Sequence, residues 1–205
     1  AYTAEPVIFN AFVTKPTSQG RPPFTLWAIL RNIVFYIPPV LGSAFILLLS
    51  FVAMLVPAKK SSRQAAIGWM LHRACRILIG YAAFIHPKRI GPDGELIRNW
   101  NGEAGVIVAN HQSSLDIIMI LATFPKVKFM VADWVLTSPL FGVISRFLGY
   151  YSRSEGYEKS LERLRVDVAD GWCLAVFPEG TRSLNGKIKR FHKGAFYLAS
   201  QVGVP

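Results

Sequence analysis

Acidic residues are scarce in this chain of 205 residues, and cysteine is scarcer still. Asp and Glu number 12 against 23 Lys and Arg, which leaves a net charge of +11. Only 17% of the residues are charged and 52% are hydrophobic, the opposite of the balance that keeps a polypeptide disordered. The composition therefore excludes an intrinsically disordered protein and indicates a folded one with an anionic partner.

The few cysteines exclude a disulfide-rich scaffold. Cys75 and Cys173 both lie among apolar residues, which favours buried, reduced thiols over a disulfide. No spacing typical of zinc ligands is present, so we expect no metal site. No signal peptide with a charged start and a cleavage site is visible either.

The excess positive charge is concentrated in the first ninety residues. Residues 1–90 carry a net charge of +9, whereas residues 91–205 carry +2. Because this charge flanks the most hydrophobic part of the chain, it indicates attraction to anionic lipid head groups rather than a nucleic-acid footprint. We expect an anionic membrane as a partner and no nucleic acid. The salt dependence of binding to duplex DNA would test the nucleic-acid alternative.

The chain divides into three regions. Residues 1–24 are rich in Pro, Thr and Ser without a helical period, which predicts a loose N-terminal arm. Residues 25–86 are predicted to form a membrane-associated helical region. Residues 87–205 alternate short apolar runs with amphipathic ones, which predicts an α/β domain. The chain stops abruptly for such a domain, so we expect its C-terminal part to be missing.

A stretch of 27 residues without charge, 32–58, is the candidate membrane segment. Pro38 and Pro39 interrupt it. Residues 40–56 alone would span only about 25 Å as a helix, against a hydrocarbon core of about 30 Å. Two interpretations remain open: a kinked transmembrane helix that starts near Ile33, or a hairpin that enters one leaflet.

Basic residues follow this stretch and predict its orientation. Lys59, Lys60 and Arg63 outnumber Arg31 on the other side, which predicts that the C-terminal side is cytoplasmic. A helix is then expected from about residue 61 to 85, with apolar residues at helical spacing beside a basic flank. It is either a basic amphipathic helix on the bilayer surface or an ordinary helix packed on the core.

The third region predicts a largely parallel sheet flanked by helices. Pro139 and Gly142 are expected to break or tighten one of these helices. The predicted strands cover residues 105–110, 127–131, 148–152 and 173–177, and the predicted helices cover 114–124, 134–147 and 157–170.

A first polar cluster, Asn110-His111-Gln-Ser-Ser-Leu-Asp116, directly follows the first of these strands, where sites form in parallel sheets. The Asp116 carboxylate can accept a hydrogen bond from one imidazole nitrogen of His111 and leave the other nitrogen free as a base. No nucleophilic Ser or Cys is needed if the substrate supplies its own hydroxyl. Alternatively, Ser113 or Ser114 together with Asp116 merely caps the helix.

A second polar cluster, Phe177-Pro-Glu-Gly-Thr-Arg-Ser183, follows the last predicted strand. Gly180 permits close backbone approach, Glu179 can orient a hydroxyl, and Arg182 presents a fork that matches phosphate oxygens. The plainer interpretation is a turn with a solvated Arg.

Taken together, NHQSSLD and FPEGTRS about sixty residues later resemble the glycerophospholipid acyltransferase family, typified by 1-acylglycerol-3-phosphate (lysophosphatidate) acyltransferases, with its His-x4-Asp and F-P-E-G-T-R-S motifs. The resemblance covers about Gly105 to Pro205. It implies a membrane-bound O-acyltransferase of phospholipid biosynthesis with its catalytic domain on the cytoplasmic face. The expected donor is acyl-CoA or acyl-ACP as co-substrate, with no cofactor. The expected acceptor is a lysophospholipid, most simply 1-acyl-glycerol-3-phosphate, which would give phosphatidate.

The same resemblance implies the site residues. His111 is the expected general base for the acceptor hydroxyl, and Asp116 is expected to hold its tautomer. Arg153 lies in a stretch that matches the middle motif of the family, and it is expected to bind the acceptor phosphate together with Arg182. The remaining residues of the expected acceptor-binding set are Glu179, Gly180 and Thr181.

The chain departs from the family pattern in the middle motif. Many relatives carry a Lys-x-Glu-like stretch where this chain has Ala132-Asp133-Trp134. This departure leaves open an acyltransferase for another lyso-lipid, or a non-catalytic membrane adaptor with the same fold. Lys128 either replaces the lost cation or is a plain surface Lys at a strand end.

Several other residues have plainer interpretations. His72 and His86 are expected to face lipid or to cap a helix rather than to catalyse. The basic run of residues 185–193 contacts the phosphates of the donor or an acidic carrier, or it is a solvated loop. Trp134 and Trp172 line an acyl groove or pack in the core.

Overall fold

A computed structural model describes residues 37, 41–42, 44–46, 48–81, 103–139, 141–183 and 187–205. The predicted arm over residues 1–24 lies outside the described residues, as do the proline pair at 38–39 and His86. The domain boundaries at residues 24 and 86 therefore stay predictions.

The described part of the chain contains a sheet of four parallel strands in the order β1-β4-β2-β3. The strands are β1 (Val106–Val108), β2 (Val127–Val131), β3 (Tyr151–Ser152) and β4 (Cys173–Val176). This sheet confirms the predicted parallel α/β architecture. Because β4 pairs with β1 on one side and with β2 on the other, the ends of β1 and β4 lie side by side.

Six helices have defined bounds in the described residues: α1 (Lys60–Tyr81), α2 (Leu115–Thr123), α3 (Asp133–Thr137), α4 (Gly142–Leu148), α5 (Tyr157–Ala169) and α6 (Gly194–Val202). The helix predicted over residues 134–147 is broken at Pro139 into α3 and α4. The strand predicted over residues 148–152 is wrong at its start, because Leu148 ends α4 and Gly149 follows with a φ of 75°. A left-handed residue of this kind closes a helix, and glycine adopts it without strain.

Helices cover both faces of the sheet. Successive residues of β4 alternate between two core clusters, as the twofold period of a strand requires. Leu174 and Val176 pack with residues of α5 and α6, including Leu164 and Leu198. Cys173 and Ala175 pack on the other face with residues of α2 and β2. At the chain end, the Pro205 carbonyl accepts a hydrogen bond of 2.7 Å from the Val106 N–H of β1.

Helix α1 packs against the domain, as the core-packing interpretation predicts. Ile67 is fully buried, and Gly68 lies against the Pro125 carbonyl and the Trp172 ring. Of the two expectations for His72, the lipid-facing one is wrong, because the side chain is buried. The capping one is confirmed, since Nδ1 of His72 lies 2.9 Å from the Leu121 carbonyl oxygen in the last turn of α2. The opposite side of α1 is open to solvent.

The membrane prediction falls on residues that are only partly described. Residues 48–55 are helical, and Leu48, Val52 and Leu55 are exposed. Within the ranges that the structure describes, no helix has both the length and the apolar character needed to cross a membrane. The predicted transmembrane helix therefore stays unconfirmed.

Both cysteines are free thiols, as expected. Cys173 is buried in β4, and Cys75 on α1 is half-buried. Burial raises the pKa of the Cys75 thiol to about 11 and also raises the pKa of Cys173. Both groups are therefore protonated and unreactive at neutral pH.

Candidate active site

The two polar clusters of the sequence meet at one edge of the sheet. The first follows β1 and the second follows β4, and these strands are parallel neighbours. The Ala109 N–H donates to the Val176 carbonyl at 3.2 Å, which continues the pairing past the strand ends. The Ser183 N–H then donates to the His111 carbonyl at 2.8 Å. These contacts bring together residues that lie about seventy positions apart in the sequence.

His111 and Asp116 form a hydrogen-bonded pair. Nδ1 of His111 lies 3.0 Å from Oδ2 of Asp116, and both side chains are largely buried. The same Oδ2 accepts the N–H groups of Gln112 and Ser113, each at 2.8 Å. Asp116 therefore holds the turn before α2 and the imidazole at once, which combines the two alternatives for this cluster. With Nδ1 bound, Nε2 is the nitrogen left for proton transfer.

The ring of Phe177 fixes the plane of the imidazole. The His111 and Phe177 rings stack with centroids 4.1 Å apart and planes inclined by 18°. Phe129 of β2 lies next in line, with its centroid 6.4 Å from that of Phe177. This contact was not predicted from the sequence, although the place of Phe177 at the end of a buried strand was a signal for it.

Glu179 lies inside the protein, with 5% of its surface exposed. Its Oε1 accepts the N–H of His111, and its Oε2 accepts the N–H of Lys189, both at 2.9 Å. Both carboxylate oxygens are thus bound to the main chain.

Arg153 and Arg182 reach the same loop edge from two elements. Nη1 of Arg182 donates to Oγ of Ser114 at 3.2 Å, three residues after His111. Nη1 of Arg153 donates to the Gly180 carbonyl at 3.2 Å. Gly180 has a φ of 72°, and a Cβ there would stand 3.2 Å from Nη1 of Arg153. Both guanidinium groups are exposed and lie on the His111 side of the sheet.

Asp133 holds the loop that carries Arg153. Its Oδ1 accepts the hydroxyl hydrogens of Ser152 and Ser154, the two neighbours of Arg153. These two hydrogen bonds hold the pKa of the Asp133 carboxyl below its ordinary value. Further along the loop, Glu155 pairs with Arg163 of α5 at 2.6 Å.

Lys189, from the basic run of residues 185–193, adds a third cation. Its Nζ donates to Oγ1 of Thr181 at 2.9 Å and to the Arg182 carbonyl at 3.1 Å. Thr181 and Arg182 are both exposed, so this ammonium group lies at the surface beside the predicted phosphate-binding residues. The side chains of Arg153 and Lys189 therefore contact the segment from Gly180 to Arg182, which itself carries the third cation, Arg182.

Two other sequence interpretations are wrong. Lys128 is neither a surface residue nor a substitute cation, because it is 6% exposed and pairs with Asp167 of α5 at 2.6 Å. Trp134 is not packed in the core, since it is 67% exposed on α3. Trp172 is buried, as the packing interpretation predicts.

Burial raises the pKa of Tyr151, whose hydroxyl donates to Asp167.

No cluster of three or more His, Cys, Asp or Glu side chains suited to a metal ion occurs among the described residues.

Comparison with known proteins identifies the family. The family model described as Acyltransferase matches residues 92–205, more than half of the chain. The chain belongs to the glycerophospholipid acyltransferase family. The resemblance of the two motifs to this family is thereby confirmed, and the match contains both clusters described above.

Several curated acyltransferases are similar to the chain. It is 36% identical to the chloroplastic 1-acyl-sn-glycerol-3-phosphate acyltransferase BAT2 of Brassica napus, over 49% of this chain and 30% of that protein. It is 37% identical to the 1-acyl-sn-glycerol-3-phosphate acyltransferase of Saccharomyces cerevisiae, over 49% of this chain and 36% of that protein. The human 1-acyl-sn-glycerol-3-phosphate acyltransferase beta is 28% identical over 85% of this chain and 64% of its own length. The chain thus spans less than two thirds of each of these relatives.

A solved structure has the same acyltransferase fold. The crystal structure of the 1-acyl-sn-glycerophosphate (LPA) acyltransferase PlsC from Thermotoga maritima superposes with a TM-score of 0.57. The match covers 88% of this chain and 72% of that chain at 23% sequence identity. This likeness supports the fold.

Proposed function

We propose that the protein is a membrane-associated O-acyltransferase that acylates the free hydroxyl of a lysophospholipid. The observation that carries the proposal is the hydrogen-bonded pair of His111 and Asp116 beside the exposed guanidinium group of Arg182. The relatives named as 1-acyl-sn-glycerol-3-phosphate acyltransferases support 1-acyl-glycerol-3-phosphate as the acceptor and phosphatidate as the product.

The reaction needs one base and no protein nucleophile. Nε2 of His111 takes the proton of the acceptor hydroxyl while the oxygen attacks the thioester carbonyl carbon of the donor. A C–O bond forms and the C–S bond breaks. The imidazolium then returns the proton to the leaving thiolate, which departs as a free thiol of coenzyme A or of an acyl carrier protein. The Asp116 carboxylate stabilises the imidazolium between these two steps.

The cations beside the base suit a phosphorylated acceptor. Arg182 and Arg153 present exposed guanidinium groups, which match phosphate oxygens in a forked geometry. Binding the phosphate there would hold the glycerol hydroxyl near the ring of His111, and positioning of this kind accounts for much of the rate enhancement by enzymes.

The lipid substrates and the charge of the chain support work at a membrane. Residues 1–90 carry a net charge of +9, and the helical residues 48–55 expose several apolar side chains. Both features favour an anionic bilayer surface. We place the active site on the cytoplasmic face, because the basic residues Lys59, Lys60 and Arg63 after the apolar stretch outnumber Arg31 before it.

Thioester release tests this function. The full chain, reconstituted in vesicles, should release free thiol from acyl-CoA or acyl-ACP when 1-acyl-glycerol-3-phosphate is present. His111→Ala should lower the rate by a factor of about 10² to 10⁴, the usual contribution of a general base, with unchanged vesicle binding and thermal midpoint. Normal turnover by this variant would refute the role of His111. Turnover with other lyso-lipids only would favour an acyltransferase for another acceptor. If no donor releases thiol with any lyso-lipid, a non-catalytic adaptor is favoured.

A further inference from the structure

Glu179 carries a buried carboxylate whose two oxygens are both used within the protein. Oε1 accepts the backbone N–H of His111 and Oε2 accepts that of Lys189. A buried carboxylate requires such donors, since an unpaired charge is unfavourable away from water. The two amide groups depend on Glu179 in turn, because a buried N–H also requires an acceptor.

The first of these amides belongs to the residue that bears the base. The loop after β4 holds the main chain of His111 on both sides: Glu179 accepts its N–H, and the N–H of Ser183 donates to its carbonyl. The backbone position of His111 is therefore set by Glu179 and Ser183. Asp116 and Phe177 set only the orientation of its ring.

The second amide belongs to a cation at the head-group side. The side chain of Lys189 reaches Thr181 and the carbonyl of Arg182. The carboxylate of Glu179 thus lies between the segment that carries the base and the segment that carries Lys189, and one side chain determines their relative position.

We infer that Glu179 is a positioning residue that joins the base to the head-group cations, and that it does not bind the acceptor hydroxyl. Glu179 is only 5% exposed, so its carboxylate presents little surface to a hydroxyl from outside the protein. The expected fall in kcat rests on the proposed function. The contacts of Glu179 with the two backbone amides do not depend on that function.

Kinetics of the full chain in vesicles separate the two roles. Glu179→Gln keeps the size of the side chain but turns an amide NH2 toward a backbone donor. We expect kcat to fall about tenfold or more while the KM for 1-acyl-glycerol-3-phosphate stays within about twofold, since the loss lies in the placement of the base. The fall in kcat should be the same for acceptors with other head groups. Glu162→Gln, which removes an exposed carboxylate on α5, is the matched control and should change neither constant.

Amide hydrogen exchange without substrate tests the geometry directly. In Glu179→Gln, the amides of His111 and Lys189 should exchange about tenfold faster than in the wild type or in Glu162→Gln. If Glu179→Gln fails to fold, Glu179→Asp replaces it, because the shorter carboxylate cannot reach both amides and should give the same pattern.

Unchanged exchange at both amides, or a raised acceptor KM with an unchanged kcat, would overturn the inference and assign Glu179 to the acceptor. Absence of acyl transfer by the wild type would contradict the proposed function instead, and the exchange rates would still decide the position of Glu179.

Discussion

His111 is held by three groups from two loops that are distant in sequence. Asp116 binds Nδ1, the Phe177 ring stacks on the imidazole, and Glu179 accepts the backbone N–H. A ring held in this way keeps Nε2 in one direction before any substrate arrives. Such preorganisation lowers the barrier, because little reorientation is left for the reaction itself.

Arg182 provides a residue-scale test of phosphate recognition. Arg182→Gln should raise the KM for 1-acyl-glycerol-3-phosphate by about 10- to 100-fold, because a charge-assisted hydrogen bond is worth about 1.5 to 3 kcal/mol. Acceptors without a phosphomonoester should be affected less. Arg165→Gln, on the exposed side of α5, removes the same charge and should leave this KM unchanged. Equal KM values for the two variants would contradict the role of Arg182.

At the scale of elements, short contacts tie the loops of the site to their helices. The loop between β3 and α5 is bound at Ser154 by Asp133 and at Glu155 by Arg163, and Asp133 also binds Ser152 at the end of β3. Arg153 lies between the two serines. Arg153 is thus held in place by the hydrogen bonds of Ser152 and Ser154 to Asp133, in addition to its own hydrogen bond to the Gly180 carbonyl.

The Asp133 contacts should weaken in acid. The folded state lowers the pKa of this carboxyl below 3.8, so its stabilising contribution is present above that value and is lost as the pH falls through the lowered pKa. Asp133→Asn should have a lower thermal midpoint than the wild type at neutral pH. We expect this difference to shrink at a pH below about 4. A difference independent of pH would contradict the ionised state of Asp133.

Helix α1 offers a matched pair of glycines for testing its packing. A Cβ on Gly68 would stand 2.9 Å from the Pro125 carbonyl oxygen, whereas a Cβ on Gly80 would meet nothing within 4 Å. Gly68→Ala should therefore lower the free energy of unfolding by about 1 to 3 kcal/mol. Gly80→Ala should raise it by about 0.5 to 1 kcal/mol, through helix propensity. Denaturant titration measures both, and destabilisation by Gly80→Ala alone would contradict this packing.

At the scale of the whole molecule, charge and apolar surface are unevenly distributed. The positive excess lies in residues 1–90, and the described part of that region exposes Leu55, Trp69 and Ile77. The parallel sheet and its site lie in the other half of the chain. This division fits the proposed function, in which one half of the chain would contact the bilayer and the other would perform the chemistry.

Binding to vesicles tests this division. The full chain should bind anionic vesicles more strongly than zwitterionic ones, because cationic residues near the surface contribute about 1 kcal/mol each. Raising the salt from about 0.1 M to 1 M should remove most of that preference, since the Debye length shortens from about 10 Å to about 3 Å. Cosedimentation measures the bound fraction. Equal binding to both vesicle types at low salt would contradict an electrostatic contribution.

The local sequence predicted much of the fold and part of the site. The strands, α2 and α5 follow from apolar periodicity, and the two motifs named the residues that meet at the sheet edge. Helix α6 was missed, although Ala195 and Leu198 recur at helical spacing. Lys128 and Trp134 were misjudged because burial depends on neighbours from other elements: Asp167 on α5 pairs with Lys128, while no core surface covers Trp134.

The sequence by itself determined the parallel α/β architecture, the family and the pair of His111 and Asp116, because these depend on periodicity and on residues five positions apart. Only the tertiary structure decided that Glu179 faces inward, that Phe177 stacks on the imidazole and that Lys189 lies beside Arg182. The first two of these facts depend on β1 and β4 being neighbours, since only the pairing of distant strands brings the loops that follow them into contact.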